Sequence, residues 1–162
     1  MIEIIAISET HIESFHRALD TVARERRYLA FLEAPPLEAA RVFVLDMIAR
    51  GHPQFVALSG GEVVGWCDVR RHPRPIYAHA GILGMGLLPP FRGQGIGTRL
   101  IRTALAAAQA TGITRVELTV RETNRNAIAL YERVGFAVEG LSRNAVKVDC
   151  VYENVIQMAV LF

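Results

Sequence analysis

The sequence is poor in cysteine and contains no long apolar run. Its two cysteines, Cys67 and Cys150, lie far apart in strand-like surroundings and show no Cys-x-x-Cys spacing. We therefore predict two buried free thiols, with no disulfide and no catalytic cysteine. No apolar run approaches the roughly twenty residues that a membrane span needs, and no basic and apolar leader follows Met1. These absences predict a cytoplasmic protein without a membrane partner.

Strong charge of either sign is also missing. The 162 residues include 18 basic and 16 acidic side chains, which gives a net charge of only +2, and the arginines are scattered. A nucleic-acid partner would require a basic patch, so we expect none. The histidines show no spacing typical of metal ligands, so we expect no metal either. They are His11, His16, His52, His72 and His79.

Apolar residues are abundant enough for one ordinary domain that spans residues 1–162. The hydrophobic fraction is 51%, and no internal repeat or linker interrupts the chain. The pattern of apolar and turn residues predicts the order β-α-α-β-β-β-α-β-α-β-β. We therefore expect an α/β fold of mixed type, built around a mixed sheet of about seven strands.

The first half of the chain predicts a strand, two helices and a hairpin. A short strand covers residues 2–7, and a helix follows the capping box at Thr10 and continues to about Arg27. A second helix ends before Gly51, with an apolar face of Ala40, Val44, Leu45 and Ile48. The aromatic connection at residues 28–33 either packs onto the sheet or lines a substrate pocket. Residues 55–58 and 63–69 flank a Gly-Gly turn and predict a hairpin.

The second half predicts alternating strands and helices, followed by an antiparallel pair. A strand runs from about Tyr77 to Leu88, and the helix after it stops at Gly112. The β-branched run at residues 114–120 predicts a strand parallel to the preceding one, because a helix connects them. A short helix follows residue 124, and residues 137–162 predict two strands that meet near Asp149.

The most informative segment runs from Gly84 to Thr98 and continues directly into a helical pattern. An apolar strand ends at a Pro-Pro pair and turns through three glycines in five residues. Such a turn exposes backbone amides at a helix N-terminus, which favours binding of a phosphate or pyrophosphate. The Lys and Ser or Thr of a nucleotide-triphosphate loop are missing, and the glycine spacing is not that of a dinucleotide fingerprint. A glycine-rich turn can also have purely steric causes.

The remaining pattern, Arg92-x-x-Gly95-x-Gly97, resembles the cofactor motif of the GNAT superfamily of acyl-CoA-dependent N-acetyltransferases. A second segment, from Asn124 through Leu130-Tyr131 to Gly135-Phe136, is similar to that family's Asn-x-x-Ala-x-x-Leu-Tyr-x-x-x-Gly-Phe motif. The order of elements is also that of the family, so the resemblance covers essentially the whole chain. The C-terminal strands look like those of small bacterial members that acetylate amino acids or ribosomal-protein N-termini.

The resemblance implies that acetyl-CoA is the acetyl donor and that a primary amine is the acceptor. Backbone groups of Met85 and Leu87 around Gly86 would hold the pantetheine arm, although Gly84 and Gly86 could instead mark a bulge or a crowded packing site. The residues implied to contact the rest of the cofactor are Arg92, Gly93, Gln94, Gly95, Ile96, Gly97, Thr98 and Asn124. The acceptor would be an amino acid, a small amine or a peptide N-terminus.

Acyl transfer requires an oxyanion donor and a proton for the departing sulfur. We expect the backbone N–H of Leu87 to stabilise the oxyanion. Tyr131 matches the family's general acid, since a phenol stays protonated at neutral pH. A core tyrosine on a short helix is the alternative role for this residue. No cysteine is placed to carry the acyl group, so direct transfer is expected.

The general base stays open at the level of the sequence. The ribosomal-protein acetyltransferases carry a Glu where this chain has Thr119, so that assignment does not transfer. The remaining candidates are Glu117, Glu33, His79, Asp68 or a water molecule.

Two other functions compete with catalysis of acetyl transfer. A non-catalytic acyl-CoA-binding or sensing module would keep the glycine turn without needing Tyr131. A doubly wound oxidoreductase is disfavoured because the glycine turn lies mid-chain, after an antiparallel hairpin. The apolar tail ending in Val160-Leu161-Phe162 makes a homodimer plausible.

Overall fold

A computed structural model describes all residues from Met1 to Phe162, and it contains seven strands and four α-helices. The strands are β1 (Ile2–Ala6), β2 (Gln54–Ser59), β3 (Glu62–Arg71), β4 (Ala80–Leu87), β5 (Arg115–Arg121), β6 (Ala137–Val148) and β7 (Val151–Leu161). The helices are α1 (Ile12–Arg24), α2 (Leu37–Ala49), α3 (Ile96–Ala110) and α4 (Arg125–Arg133). This order confirms the mixed α/β fold and the seven-stranded sheet.

All seven strands form one sheet in the order β1-β2-β3-β4-β5-β7-β6. The β4–β5 pair is parallel and every other neighbouring pair is antiparallel. The parallel pair is joined through α3, as a right-handed crossover requires. The β2–β3 hairpin turns through Gly60 and Gly61, which have φ values of +57° and +83°. A two-residue turn with two positive φ angles matches the twist of the strands, so this hairpin is as predicted.

The core has two parts, one on each face of the sheet. On one face, α3 packs side chains such as Leu100, Ile101 and Ala104 against β2, β3 and β4. On the other face, α1 and α2 pack around Trp66, whose ring meets that of Phe15 edge to face at 5.6 Å between centroids. None of the four helices combines the length and the apolarity needed to cross a membrane.

Four local predictions are wrong. The capping box before the first helix lies at Ser8, with His11 as its partner, and not at Thr10. In α2 the buried stripe is Ala40, Val44 and Met47, whereas Leu45 and Ile48 are exposed, because the buried face follows the i, i+4, i+7 positions. Cys67 is a buried free thiol as predicted, but Cys150 is exposed, since it lies at the tip of the β6–β7 hairpin.

The fourth wrong prediction is the start of β4. A 3-10 turn at Pro75–Tyr77 delays the strand until Ala80. Proline fixes φ near a turn value and lacks an amide for the ladder, so the chain cannot extend through this segment.

Candidate active site

A gap opens in the sheet between β4 and β5. The two strands pair only from Ala80 to Ile82, opposite Arg115 to Glu117, and they diverge beyond that point. The Leu88 amide donates to the Val64 carbonyl of β3 at 2.8 Å. Because amides alternate along an antiparallel strand, those of Met85 and Leu87 face away from β3 and into the gap.

Gly86 has a steric reason to lack a side chain. A Cβ at Gly86 would lie 2.3 Å from Cη2 of Trp66. The indole therefore packs directly on the strand backbone, which is one of the two alternatives that the sequence left open for this glycine.

The glycine turn after β4 carries six consecutive backbone amides with no acceptor in the protein. They belong to residues 93–98 and end in the first turn of α3, where no preceding helical carbonyl is available. Gly93 and Gly95 have φ values of +72° and +79°, a region that side chains disfavour. The helix dipole adds partial positive charge at the same place. This row of amides is suited to bind an anion such as a pyrophosphate.

The Arg92 side chain is occupied within the protein. Its guanidinium donates to both carboxylate oxygens of Glu25 at 2.9 and 2.6 Å, and Nε donates to the Leu87 carbonyl at 2.8 Å. It also lies 4.9 Å from the centre of the Tyr28 ring. Hydrogen bonding by Glu25 raises the pKa of Arg92. The side chain thus connects the glycine turn to the C-terminal end of α1.

Tyr131 lies on α4, 8% exposed, with its ring 5.7 Å from that of Phe136. Its hydroxyl makes no hydrogen bond within the protein. Only His52 and Gln54 have side-chain polar atoms that are both fully buried and without a partner, so the Tyr131 hydroxyl reaches accessible space. Burial, with a smaller contribution from Cys67, raises the pKa of Tyr131. The phenol is therefore protonated and available as a donor.

Asn124 caps α4, as its Oδ1 accepts a hydrogen bond from the Ala127 amide at 3.3 Å. This bond accounts for the residue structurally. Gln94 likewise has a structural contact, because its side-chain amide donates to the Pro90 carbonyl at 2.8 Å.

The candidate bases differ sharply in their surroundings. Glu117 accepts hydrogen bonds from His72 at 2.9 Å and from Arg115 at 3.0 Å. Burial raises the pKa of Glu117, but these two donors outweigh it and the net pKa is lowered. Glu33 is exposed and pairs with Arg24 at 3.3 Å. His79 lies in a separate cavity with Glu117, at the opposite end of β4 from the glycine turn.

Asp68 is the exception among these candidates. It lies on β3 opposite Gly84 and is 9% exposed. Its carboxylate has neither a hydrogen-bond donor nor an ion-pair partner in the protein, and its oxygens, like the Tyr131 hydroxyl, reach accessible space. Burial raises the pKa of Asp68 to about 7, and Arg70 opposes that shift only in part. An unpaired carboxyl group that titrates near neutrality is suited to proton transfer.

Asp68 borders a largely apolar cavity of about 380 Å³ between the α1–α2 connection and strands β3 and β4. We name it the β3–β4 cavity. Leu29 and Phe31 of the connection form part of its wall, which is one of the two roles that the sequence left open for this segment. Met85 also lines the cavity, so it adjoins the gap beside β4.

Residues 14–136 match the model of the Acetyltransferase (GNAT) family. This chain is a GNAT acetyltransferase family member. The match covers both segments that carried the resemblance in the sequence, which is thereby confirmed.

Two relatives and one solved structure indicate the range of similar proteins. The chain is 38% identical over 103 residues to the N-alpha-acetyltransferase RimI of Mycobacterium tuberculosis, across 63% of each chain. It is 31% identical over 108 residues to the L-amino acid N-acetyltransferase AaaT of Escherichia coli, across 63% of this chain and 67% of that protein. A Salmonella typhimurium acetyltransferase solved with acetyl-CoA shares the fold at a TM-score of 0.94 and 13% identity, over 99% and 94% of the two chains.

The family motif residues thus divide into two groups in this structure. The backbone amides of Met85 and Leu87 face the gap, and those of residues 93–98 have no acceptor in the protein. The side chains of Arg92 and Asn124 are instead committed to contacts within the protein. The structure contains no cluster of three or more His, Cys, Asp or Glu side chains arranged to hold a metal ion.

Sequence reasoning missed Arg121, which holds the segment that forms one wall of the β3–β4 cavity. Its guanidinium is 7% exposed and donates to the Arg26 carbonyl at 3.0 Å, the Leu29 carbonyl at 2.8 Å and Glu153 at 3.2 Å. The α1–α2 connection is therefore fixed to β5 and β7. The only sequence signal was an arginine at the end of a strand in which apolar and polar residues alternate.

A second contact to the same connection comes from the β6–β7 hairpin. Arg26 pairs with Asp149 at the hairpin tip, with donor-acceptor distances of 3.0 and 2.7 Å. Together with the Arg92–Glu25 pair, these contacts join α1 to three separate parts of the domain.

Proposed function

We propose that the protein is an acetyl-CoA-dependent N-acetyltransferase that moves the acetyl group directly to a primary amine. The observation that carries this proposal is the row of six unpaired amides beside the free edge of β4, with the Tyr131 hydroxyl in accessible space. When bound, acetyl-CoA supplies an activated thioester. The donor set on the protein fits a diphosphate, because it consists of N–H groups alone at a helix N-terminus.

Each residue has a defined task in this proposal. The amides of residues 93–98 hold the diphosphate, and the outward backbone groups of Met85 and Leu87 align the extended arm along β4. The Leu87 amide stabilises the oxyanion. A preorganised N–H donor in a water-poor active site lowers the activation free energy by about 3 kcal/mol. Tyr131 donates a proton to the sulfur as it departs. Arg92 contributes by bracing the turn through Glu25 and the Leu87 carbonyl.

The proposal extends to the acceptor class, the cellular location and the oligomeric state. The acceptor class includes amino acids, small amines and peptide N-termini, which the names of the bacterial relatives support. A cytoplasmic location remains a prediction from composition. A homodimer is supported by exposed apolar side chains on the C-terminal strands, including Val138, Leu141, Leu161 and Phe162.

The decisive variant is Tyr131→Phe, assayed by thiol release from acetyl-CoA with a panel of primary amines. Loss of a general acid is expected to lower turnover by about a hundredfold or more. The dissociation constant for acetyl-CoA should stay within about twofold, because the phenol ring and its packing on Phe136 are retained. Phe55→Leu, a change in a partly buried aromatic residue on β2, controls for general effects of core repacking.

Two outcomes would contradict the proposal. Unchanged turnover in Tyr131→Phe would remove this residue from the mechanism. Tight binding of acetyl-CoA without thiol release for any amine would instead support the non-catalytic acyl-CoA-binding or sensing module.

A further inference from the structure

We infer that the β3–β4 cavity binds a free amino acid with a large apolar side chain, its ammonium group at Asp68 and its carboxylate at Arg70. This inference rests on the proposed function and names its acceptor class. It is carried by three features of the cavity: one buried unpaired carboxylate, one unpaired guanidinium and apolar walls.

Asp68 provides the binding group for the ammonium. A carboxylate buried without any donor is unfavourable, and an incoming ammonium group would relieve that cost. Oδ1 of Asp68 lies 3.4 Å from the position that a Cβ on Gly84 would occupy. The carboxylate therefore lies over the backbone of β4, one residue before Met85, and Gly84 places no side chain in front of it.

Arg70 provides the matching group for a carboxylate. It follows Asp68 by two positions on β3, so both side chains project to the same face of the sheet, roughly 7 Å apart along the strand. Arg70 is exposed at its end of the cavity and forms no ion pair or side-chain hydrogen bond in the protein. No other titratable side chain lines the cavity. A free amino acid carries an ammonium group and a carboxylate group on the same Cα, whereas a peptide N-terminus carries only the ammonium group.

The remaining walls select an apolar side chain. Phe15, Leu19, Phe43, Trp66 and Ile82 contribute to them, and together with the connection residues they leave no further charged partner. The volume of about 380 Å³ lies at the lower end of the roughly 300–1,000 Å³ typical of small-molecule pockets. Such a space suits one amino acid with an aromatic or branched aliphatic group.

The transfer step balances with these residues. Asp68 takes one proton from the ammonium group, which frees the nitrogen lone pair. That pair forms the C–N bond to the thioester carbonyl carbon, and the C–S bond then breaks as the oxyanion collapses. The sulfur leaves with its electron pair and is protonated by Tyr131, which is reprotonated by the second proton lost from nitrogen. The proton on Asp68 passes to solvent, so the reaction yields an amide, a thiol and one proton.

The test compares four acceptors in the thiol-release assay: L-phenylalanine, L-phenylalaninamide, 2-phenylethylamine and glycine. We expect kcat/KM for L-phenylalanine to exceed that for glycine by about tenfold or more, since glycine leaves the apolar walls unfilled. Arg70→Gln should raise KM for L-phenylalanine by about tenfold, the effect of losing one charge-assisted contact. It should change KM for the amide and the amine by less than about twofold.

Two further variants separate binding from chemistry and from folding. Asp68→Asn, which keeps the side-chain shape, should lower kcat by about a hundredfold with an unchanged dissociation constant for acetyl-CoA and an unchanged fold by circular dichroism. It should also remove the inflection of kcat/KM near neutral pH and leave only the rise that follows deprotonation of the free amine. Arg102→Gln removes an exposed arginine on α3, outside the cavity, and should leave all four acceptors unaffected.

The outcomes distinguish this inference from the proposed function. Equal kcat/KM for glycine and L-phenylalanine, or an equal effect of Arg70→Gln on L-phenylalanine and its amide, would overturn the inference while acetyl transfer stands. Preference for a peptide with a free N-terminus over every free amino acid would do the same. No thiol release with any acceptor, despite acetyl-CoA binding, would overturn both.

Discussion

The two sides of the gap beside β4 differ in what they offer a ligand. On the side proposed for the cofactor, which we name the cofactor side, recognition would depend on backbone amides at residues 93–98, which any sequence with the right glycines would expose. On the side proposed for the amine, which we name the acceptor side, it would depend on side chains brought together from α1, α2, β3 and β4, and Asp68 is the one carboxylate that lines the cavity there. Backbone recognition tolerates changes in side-chain identity and is sensitive to conformation. Side-chain recognition shows the opposite sensitivity.

The acceptor side is also the more heavily braced of the two. Its connecting segment is held by Arg121, by the Arg26–Asp149 pair and by the Arg92–Glu25 pair. The glycine turn needs less support, because the start of α3 fixes its direction. The Arg92–Glu25 pair is the point where the two sides touch, since Arg92 also binds the carbonyl of Leu87.

Among the variants that test this comparison, the largest effect on ligand affinity is expected from Gly95→Ala on the cofactor side. A Cβ at Gly95 would meet no atom within 4 Å, but the φ of +79° disfavours any side chain, so the turn that aligns the unpaired amides would shift. We expect the dissociation constant of acetyl-CoA, measured by calorimetry, to rise about tenfold or more, which corresponds to about 1.4 kcal/mol.

Gly60→Ala is the matched control for this substitution. Gly60 has a φ of +57°, equally open surroundings and a position in the β2–β3 turn. Both variants should lose roughly 1–2 kcal/mol of stability from the left-handed conformation, and only Gly95→Ala should lose cofactor affinity. Equal affinity of the two variants for acetyl-CoA would contradict the proposal that the turn at residues 93–98 binds the cofactor.

A smaller effect is expected from Arg121→Gln, and it should appear in acceptor binding and not in cofactor binding. The shorter side chain leaves the carbonyls of Arg26 and Leu29 without their donor, so the connecting segment loosens. KM for the acceptor should rise about fivefold, the cost of ordering a loop on binding. The dissociation constant for acetyl-CoA should not change, and stability should fall by about 2–3 kcal/mol.

Arg71→Gln serves as the comparison for Arg121→Gln. Arg71 also bonds two backbone carbonyls, those of Ala78 and Thr111, but it does so outside the β3–β4 cavity. A similar loss of stability with an unchanged acceptor KM is expected. If both variants raise KM equally, the effect of Arg121 is general destabilisation and not control of the acceptor side.

The smallest effect concerns the pH dependence of stability. Burial raises the pKa of Asp68 to about 7 from 3.8, so the unfolded chain ionises at a lower pH than the native protein. Ionisation of Asp68 therefore favours unfolding, and its contribution lowers stability as pH rises from about 4 to 7. As pH rises through this range, the melting temperature of Asp68→Asn should increase relative to that of the wild type by a few degrees.

Asp46→Asn provides a control for that measurement, because Asp46 is an exposed carboxylate on α2 paired with Arg50. Its melting temperature should run parallel to that of the wild type between pH 5 and 7. A constant difference between Asp68→Asn and the wild type over the same interval would show that Asp68 is not buried as an unpaired acid.

Most of the fold could be predicted because its signals are local. The Gly60-Gly61 turn, the start of α3 and the Asn124 cap each follow from a few neighbouring residues. The errors arose where a neighbour far away in sequence decides the outcome, as with Met47 replacing Leu45 and Ile48 on the buried face of α2. Cys150 was predicted to be buried because most of the residues around it in the sequence are apolar. It is exposed because no other element covers the tip of the β6–β7 hairpin.

For the candidate site, too, the sequence predicted the local features and missed those that depend on distant residues. The spacing of glycines after β4 was sufficient to predict an anion-binding turn. It could not predict that Arg92 would be paired with Glu25, a residue 67 positions away. Nor could it rank the four possible bases, because Glu117 and Asp68 differ only in the partners that folding gives them.

By itself the sequence determined the order of strands and helices, the GNAT family and the turn that bares six amides. These properties depend on backbone conformation, which residues a few positions apart control. Only the tertiary structure decided that Glu117 lies beside His72 and Arg115, that Asp68 is left without a partner and that Arg121 holds the α1–α2 connection. Burial and pairing are sums over distant segments, and a one-dimensional pattern does not contain them.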